Sequence, residues 1–206
     1  MKILIVDDHA IVRAGLRRLL AAIPGLDCEE AVEGREGLAK AREFQPDLVM
    51  MDLNMPGLGG IALLQRFLAD MPKLRVLVLS MHSEPIYAVR ALEAGAAGYA
   101  SKNVEPAELL QAVQKIAGGG RYVEASLAQE IALGQTAGTS VLDTLTERDL
   151  EILRLLACGR SLREVASSLA VSYKTVANTC SAIKAKLGVT RTADLIRLAM
   201  QFGLTG

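Results

Sequence analysis

Five times between Lys2 and Ile116 a short apolar, β-branched run gives way to a helical pattern, and that alternation leaves few folds open. KILIV at Lys2 to Val6 is followed by Ala10 to Ala22, where Ile11, Val12, Leu16, Leu19 and Leu20 recur at helical spacing. The cycle repeats with a β-run near Cys28 to Val32 and a helix from about Arg35 to Phe44, then with the strand Asp47 to Met51 and a helix from about Ile61 to Asp70. It closes with Arg75 to Leu79 and Pro85 to Ala94, then Ala97 to Ala100 and Pro106 to Ile116. Parallel strands need crossover helices, and strands covered on both faces read as unbroken apolar runs, as VLVL at Val76 to Leu79 does. Residues 1–118 therefore predict a doubly wound α/β domain of (βα)5 type, a kind of sheet that binds ligands beyond the C-terminal ends of its strands.

After Gly118, Gly119 and Gly120 the pattern changes. Arg121 to Leu133 has room for one or two amphipathic turns, while Gly134 to Ser140 (GQTAGTS) has no apolar period and is rich in Gly, Ser and Thr. Residues 119–141 read as a flexible linker. From Thr146 onward the pattern is helical without a strand signal, so 142–206 predicts an all-α domain of four helices. With 206 residues, 51% of them hydrophobic, the chain has enough apolar side chains for two small cores. No apolar run reaches the roughly 20 residues that span a bilayer, and Lys2 leads straight into a strand rather than a signal peptide. The expectation is a cytoplasmic protein without a membrane partner. Cys28, Cys158 and Cys180 are odd in number and scattered, which suits neither a disulfide framework nor close-spaced zinc ligands; they read as reduced thiols in packed positions.

Polar residues stand where four of the strands end: Asp7 and Asp8 after KILIV, Asp52 after LVMM, Ser80 after VLVL, and Tyr99 to Lys102 around the fifth. In a parallel sheet these ends share one edge. Three carboxylates brought together repel one another, and hard oxygen ligands at that density are what Mg²⁺ coordinates. Lys102 adds a fixed positive charge and Ser80 a hydroxyl donor, so the same edge could stabilise a dianionic phosphoryl group. Asp52, being central, is the candidate nucleophile toward phosphorus. Met50 and Met51 read as core, and Met55-Pro56-Gly57 as a turn. His9 and His82 lack neighbouring cysteines and read as loop-edge residues rather than metal ligands.

VDDH at Val6 to His9, VMMDLNMPGLGG at Val49 to Gly60, LSMH at Leu79 to His82 and GYASK at Gly98 to Lys102, in that order, resemble the receiver domain of two-component response regulators. The resemblance implies that Asp52 is the phosphoacceptor, loaded by a histidine kinase. It implies an Mg²⁺ held by Asp8, by Asp7 directly or through water, by Asp52 and by the backbone carbonyl of Asn54. Ser80 and Lys102 would contact the phosphoryl oxygens, and Tyr99 would be the aromatic switch that turns inward as Ser80 moves. Asn54 and His82 would occupy positions that tune how fast the acyl phosphate hydrolyses.

In the second domain, Thr146 followed by Asp149 reads as a helix N-cap with an acidic N3, although the usual capping box has Glu or Gln there. The helix runs to about Ala157 with Leu150, Leu153 and Leu156 inward, and Gly159 stops it. A second short helix runs from Ser161 through Leu169, a tight turn follows at Ala170-Val171, and Ser172 caps a third helix that Gly188 ends; Arg191 to Phe202 makes a fourth. A short helix, a tight turn and a longer helix constitute a helix-turn-helix. Val176, Cys180, Ile183 and Leu187 form the third helix's apolar stripe, which makes Cys180 a core residue. The opposite face presents Lys174, Ala177, Asn178, Ser181 and Lys184. Residues 141–206 carry nine Lys/Arg against six Asp/Glu, whereas 1–140 carry 14 against 17, a split that permits a phosphate-backbone partner.

The segment Leu145 to Val189, with its LTxR opening, its KTV triplet and its IxxKLGV ending, resembles the LuxR-type helix-turn-helix of the NarL/FixJ response regulators. The resemblance implies that Lys174 and Thr175 lie at the phosphate-proximal start of the recognition helix and that Ala177, Asn178 and Ser181 read bases. It also implies that the last helix, through Leu195, Leu198, Ala199 and Phe202, pairs two copies as a homodimer on duplex DNA. Ala177 stands where the family usually has Lys, Thr179 where it usually has His, and Thr192 where Arg is common, which predicts weaker nonspecific binding. The whole reads as a transcriptional switch, not an enzyme. A phosphatase or phosphotransferase with an aspartate nucleophile is a rival reading, but haloacid-dehalogenase-type enzymes favour a second Asp where this chain has Asn54. A helical domain that binds a protein partner is the other rival, separable by salt-dependent binding to duplex DNA.

Overall fold

The computed structural model describes residues 1–55, 58, 60–81, 85–132, 144–201 and 204. One compact unit takes in the sheet and its helices through Gln129, and a second takes in the helices from Glu147 onward. In the first, β1 (Lys2–Val6), β2 (Asp27–Ala31), β3 (Leu48–Asp52), β4 (Arg75–Ser80) and β5 (Gly98–Ser101) alternate with α1 (Ala10–Leu20), α2 (Gly34–Phe44), α3 (Gly60–Asp70), α4 (Pro85–Glu93) and α5 (Pro106–Ala117). These strands pair in parallel in the order β2-β1-β3-β4-β5. All five residues of β3 are buried, as its unbroken apolar run requires of a central strand. Side chains alternate across the sheet: Ile3, Ile5, Leu48, Met50, Leu77 and Leu79 pack with Leu16 and Leu20 of α1 and with Leu109, Val113 and Ile116 of α5. The intervening Leu4, Val6, Val49, Met51, Val76 and Val78 are equally buried and take the other face.

Five strands were expected, and among the described residues the sheet has six. Tyr122–Val123 forms β6, registered against Gly98 and Tyr99, and α6 (Ala125–Ala132) follows it. Residues 119–132, read as the start of a linker, thus carry regular structure. A two-residue strand has no period to detect, and the three glycines before it look like linker sequence. The pairing depends on Gly98: a Cβ there would lie 2.8 Å from the Tyr122 carbonyl oxygen and 2.7 Å from Ile116 Cδ1. Tyr122 is fastened further by its hydroxyl, which donates to Glu108 Oε1 at 2.6 Å. The rest of the expected linker, 133–141, lies outside the described residues.

The second unit comprises α7 (Glu147–Ala157), α8 (Leu162–Ser168), α9 (Tyr173–Lys186) and α10 (Thr192–Gln201). Leu150, Leu153, Val165, Val176, Ile183 and Leu195 are its fully buried centre. Ala170, in the turn between α8 and α9, takes the left-handed conformation at φ 50°, and Gly188 does so at φ 66° beyond α9.

Replacing Gly98 with Val forces β6 away from β5. Urea denaturation is expected to show a loss of about 1–3 kcal/mol, the cost of overpacking against backbone; wild-type stability would contradict the pairing.

Candidate functional site: an acidic pocket and a helix-turn-helix face

Because β1, β3, β4 and β5 run parallel, their C-terminal ends open on one edge, and each delivers a polar side chain there. Asp7 and Asp8 follow β1, Asp52 closes β3, Ser80 closes β4 and Lys102 follows β5. Lys102 is rooted by its own N–H, which donates to the Ser80 carbonyl at 2.8 Å. Its Nζ reaches Asp7 Oδ2 at 2.7 Å and Asp52 Oδ2 at 2.8 Å, with side-chain exposures of 5%, 1% and 2% for the three residues. Asp52 Oδ1 accepts the Asn54 N–H at 3.0 Å, and Asp7 Oδ1 accepts the His9 N–H at 2.8 Å.

The electrostatics are unbalanced. Asp7, Asp8 and Asp52 meet one ammonium, and Asp7 Oδ2, Asp8 Oδ1 and Asp52 Oδ2 are buried without a well-directed hydrogen-bond donor, although charged or polar groups touch them. Burial raises the Asp52 carboxyl above the usual carboxylate range and the Asp7 charge adds to this, against the lowering by Lys102 and the Asn54 N–H. Asp7, Asp8, His9 and Asp52 each offer a ligand atom within 4.8 Å of the others. Hard carboxylate oxygens in that arrangement suit a small divalent cation, so Asp7, Asp8 and Asp52 are the residues able to hold one.

His9 is the member that sequence reasoning missed. Read as a loop-edge residue, it sits with Nδ1 2.8 Å from Asp8 Oδ1 and 3.2 Å from Asp7 Oδ1, while its ring stays mostly exposed. Its position directly after two aspartates was the available signal. Ser80 and Tyr99 are fully buried, Tyr99 being registered against Val78 on one side and Val123 on the other. His82 lies outside the described residues.

In the second unit, local hydrogen bonds explain why the helices start where they do. Thr146 and Asp149 close a capping box: Asp149 N donates to Thr146 Oγ1 at 3.1 Å and Thr146 N to Asp149 Oδ2 at 3.0 Å. Ser161 and Glu164 close another before α8, and Ser172 Oγ accepts the Thr175 N–H at 3.1 Å before α9. Val176, Cys180 and Ile183 turn α9's apolar stripe inward. On its other side Lys174, Thr175, Asn178 and Ser181 are exposed, and Ala177 and Lys184 partly so. The Ser181 hydroxyl donates to Ala177 O, and Thr175 Oγ1 lies 2.8 Å from Ser172 Oγ. Lys174 and Asn178 are exposed, and no side-chain hydrogen bond or ion pair engages either of them among the described residues. Tyr173, 53% exposed at the first turn of α9, extends this face and was not singled out in the sequence.

Residues 3–114 match the response regulator receiver domain, and residues 143–199 match the luxR family of bacterial regulatory proteins. The chain is a response regulator. It belongs to the NarL/FixJ type, in which a receiver domain precedes a LuxR-type DNA-binding domain, and it is a transcriptional regulator. It is 40% identical over 209 residues to the transcriptional activator protein ExaE of Pseudomonas putida, covering 99% of this chain and 98% of ExaE. It is 36% identical over 208 residues to the response regulator GacA of Pseudomonas syringae, covering 99% and 97%. Among solved structures it is similar to RcsB of Salmonella enterica serovar Typhimurium bound to promoter rprA in the presence of phosphomimetic BeF3-. That likeness has a TM-score of 0.66, 27% identity and coverage of 96% of each chain.

One reading of the response regulator's last helix changes. Leu195 and Ala199, expected to pair two copies, are 0% exposed within their own domain, where α10 packs on α7. An apolar stripe on a terminal helix serves a core or a partner equally well by sequence, and here the core takes it. Leu198 is half-buried, Met200 is exposed, and Phe202 lies outside the described residues. Lys186 donates to Asp149 Oδ2 at 2.6 Å and ties the end of α9 to the start of α7.

Asp149→Ala removes a cap and leaves Lys186 unpartnered. Chemical denaturation of the response regulator's second domain transition is expected to move by about 2 kcal/mol. Asp149→Asn, which keeps an acceptor for Thr146 N, is expected to lose less than half of that, and an unchanged midpoint for Asp149→Ala would refute the tie.

Proposed function

We infer that the response regulator is switched by phosphorylation of Asp52 and that its second domain binds duplex DNA as a homodimer. The observation that carries this reading is Lys102 Nζ between Asp7 and Asp52, beside three carboxylate oxygens without aligned donors. An Asp52 oxygen attacks the phosphorus of a phosphohistidine on a partner histidine kinase, a P–O bond forms, the P–N bond breaks, and the imidazole leaves. The Lys102 ammonium and the Ser80 hydroxyl then balance the charge of the bound phosphoryl oxygens. Asp7, Asp8, Asp52 and the Asn54 carbonyl would hold Mg²⁺, which supplies neutralisation of the charge gathering on the transferring group. In this reading the chain acts on no substrate of its own, and the phosphoryl group is a signal.

Ser80 and Tyr99, buried on adjacent strands, are the pair that rearranges around the phosphoryl group, biasing a two-state equilibrium. The work divides between residues 1–118 and 142–206, with 119–141 joining them and β6 at its start held to the sheet. On DNA, Lys174 and Thr175 meet phosphates, while Ala177, Asn178, Ser181 and Lys184 face base edges, with few charges to support nonspecific binding. Two copies pair through the outer side of α10 at Ile196, Leu198 and Met200 rather than through Leu195 and Ala199. Among the described residues no helix is long and apolar enough to cross a membrane, in keeping with work in the cytoplasm.

The test loads the full chain with phosphoramidate and Mg²⁺ and follows its binding to genomic DNA fragments over a range of salt. Phosphate is expected on the wild type and not on Asp52→Asn, with DNA affinity rising at least about fivefold on loading and falling as salt rises. Equal labelling of both proteins, or equal affinity before and after loading, would overturn the switch.

A further inference from the structure

The segment just beyond β6 reaches back to the acidic edge. Glu124, the residue before α6, accepts the Ser101 N–H on Oε2 at 3.1 Å. Ser101 is the last residue of β5 and the one before Lys102, and it is buried. The β5–β6 register ends at Tyr99↔Val123, so the Ser101 amide has no strand partner on that side, and a side chain takes the place of the missing rung. On the other side of β5, Lys102 N donates to Ser80 O at 2.8 Å. The two successive peptides that lead into the phosphoryl-site lysine are therefore held from opposite flanks, one each. Turns within the loop stiffen it further, since Asn103 N donates to Ser101 Oγ and Val104 N to Ser101 O, each at 3.1 Å. Glu124 is itself fixed at the start of α6, where its carbonyl accepts the Ala128 N–H at 2.9 Å.

We propose that Glu124 is a positioning residue for Lys102 and that its bond to Ser101 couples the phosphoryl site to the start of α6. The proposal rests on Asp52 phosphorylation. A hydrogen bond to an ionised acceptor is about twice as strong as one between neutral groups, and here it closes an otherwise unpaired, buried backbone donor. Without it the β6 flank of Ser101 loses its hold, and the Lys102 ammonium wanders from the point where it meets both carboxylates. Because Glu124 opens α6, a shift of the Ser101–Lys102 peptide on phosphorylation pulls on the segment that leads along the chain toward residues 142–206. Glu124 touches no reacting atom; it acts through the backbone.

The test compares the full-length wild type with Glu124→Ala, which removes the acceptor, and Glu124→Gln, which keeps an amide oxygen in its place. Hydrogen exchange at the Ser101 amide is expected to accelerate about tenfold in Glu124→Ala and to return most of the way in Glu124→Gln. Loading with phosphoramidate and Mg²⁺ is expected to slow by a similar factor in Glu124→Ala and to recover in Glu124→Gln, with the thermal transition of all three proteins still cooperative. The gain in DNA affinity on full loading is expected to shrink in Glu124→Ala. A Glu124→Ala protein that exchanges, loads and binds like the wild type overturns the proposal, as does a Glu124→Gln protein as impaired as the alanine variant. Failure of the wild type itself to load overturns the Asp52 reading, and the coupling with it, which separates the two outcomes.

Discussion

Lys102 Nζ sits between two carboxylates that come from different strands, at 2.7 and 2.8 Å, in a place almost closed to water. Burying such charges costs several kcal/mol per ion, and one ammonium does not offset three carboxylates. The fold therefore tolerates a local imbalance at the one edge where four strands end. Strand direction makes that possible: only parallel pairing puts Asp7, Asp52, Ser80 and Lys102 at the same end of the sheet. The apolar faces of β1, β3 and β4, buried on both sides, hold the edge in register while it carries the strain.

The second domain solves a smaller problem with local chemistry. Its helices are short, and their first turns have free N–H groups that Thr146, Ser161 and Ser172 satisfy. Asp149 does two things at once, closing a cap and receiving Lys186 from the far end of α9. The outer face of α9 is thereby presented on a helix anchored at both ends, with Tyr173 and Lys174 at its leading turn.

The acidic edge was legible in the sequence because each contributing residue directly follows a strand whose apolar run is unmistakable, and strand ends in a parallel sheet have one place to go. The sheet's five main strands and all four helices of the second domain were legible for the same reason, through periodicity and caps. What stayed hidden needed distances. Tyr122–Val123 is too short to show a period, and Gly98, which lets β6 approach, looks like any other glycine. His9 follows two aspartates, but only the distances show that its ring turns onto them. Leu195 and Ala199 show helical spacing that a core and a dimer face share, and only packing against α7 decides between them.

The central claim is that Asp7, Asp8 and Asp52 face one common point where a divalent cation binds. Carboxylate carbon signals of aspartate-labelled protein, followed while Mn²⁺ is added in trace amounts and Mg²⁺ is then used to displace it, test this most directly. The account predicts that these three signals broaden together, ahead of every other aspartate, and sharpen together when Mg²⁺ is added. Broadening of the three at different additions, or of surface aspartates such as Asp27 first, would contradict it.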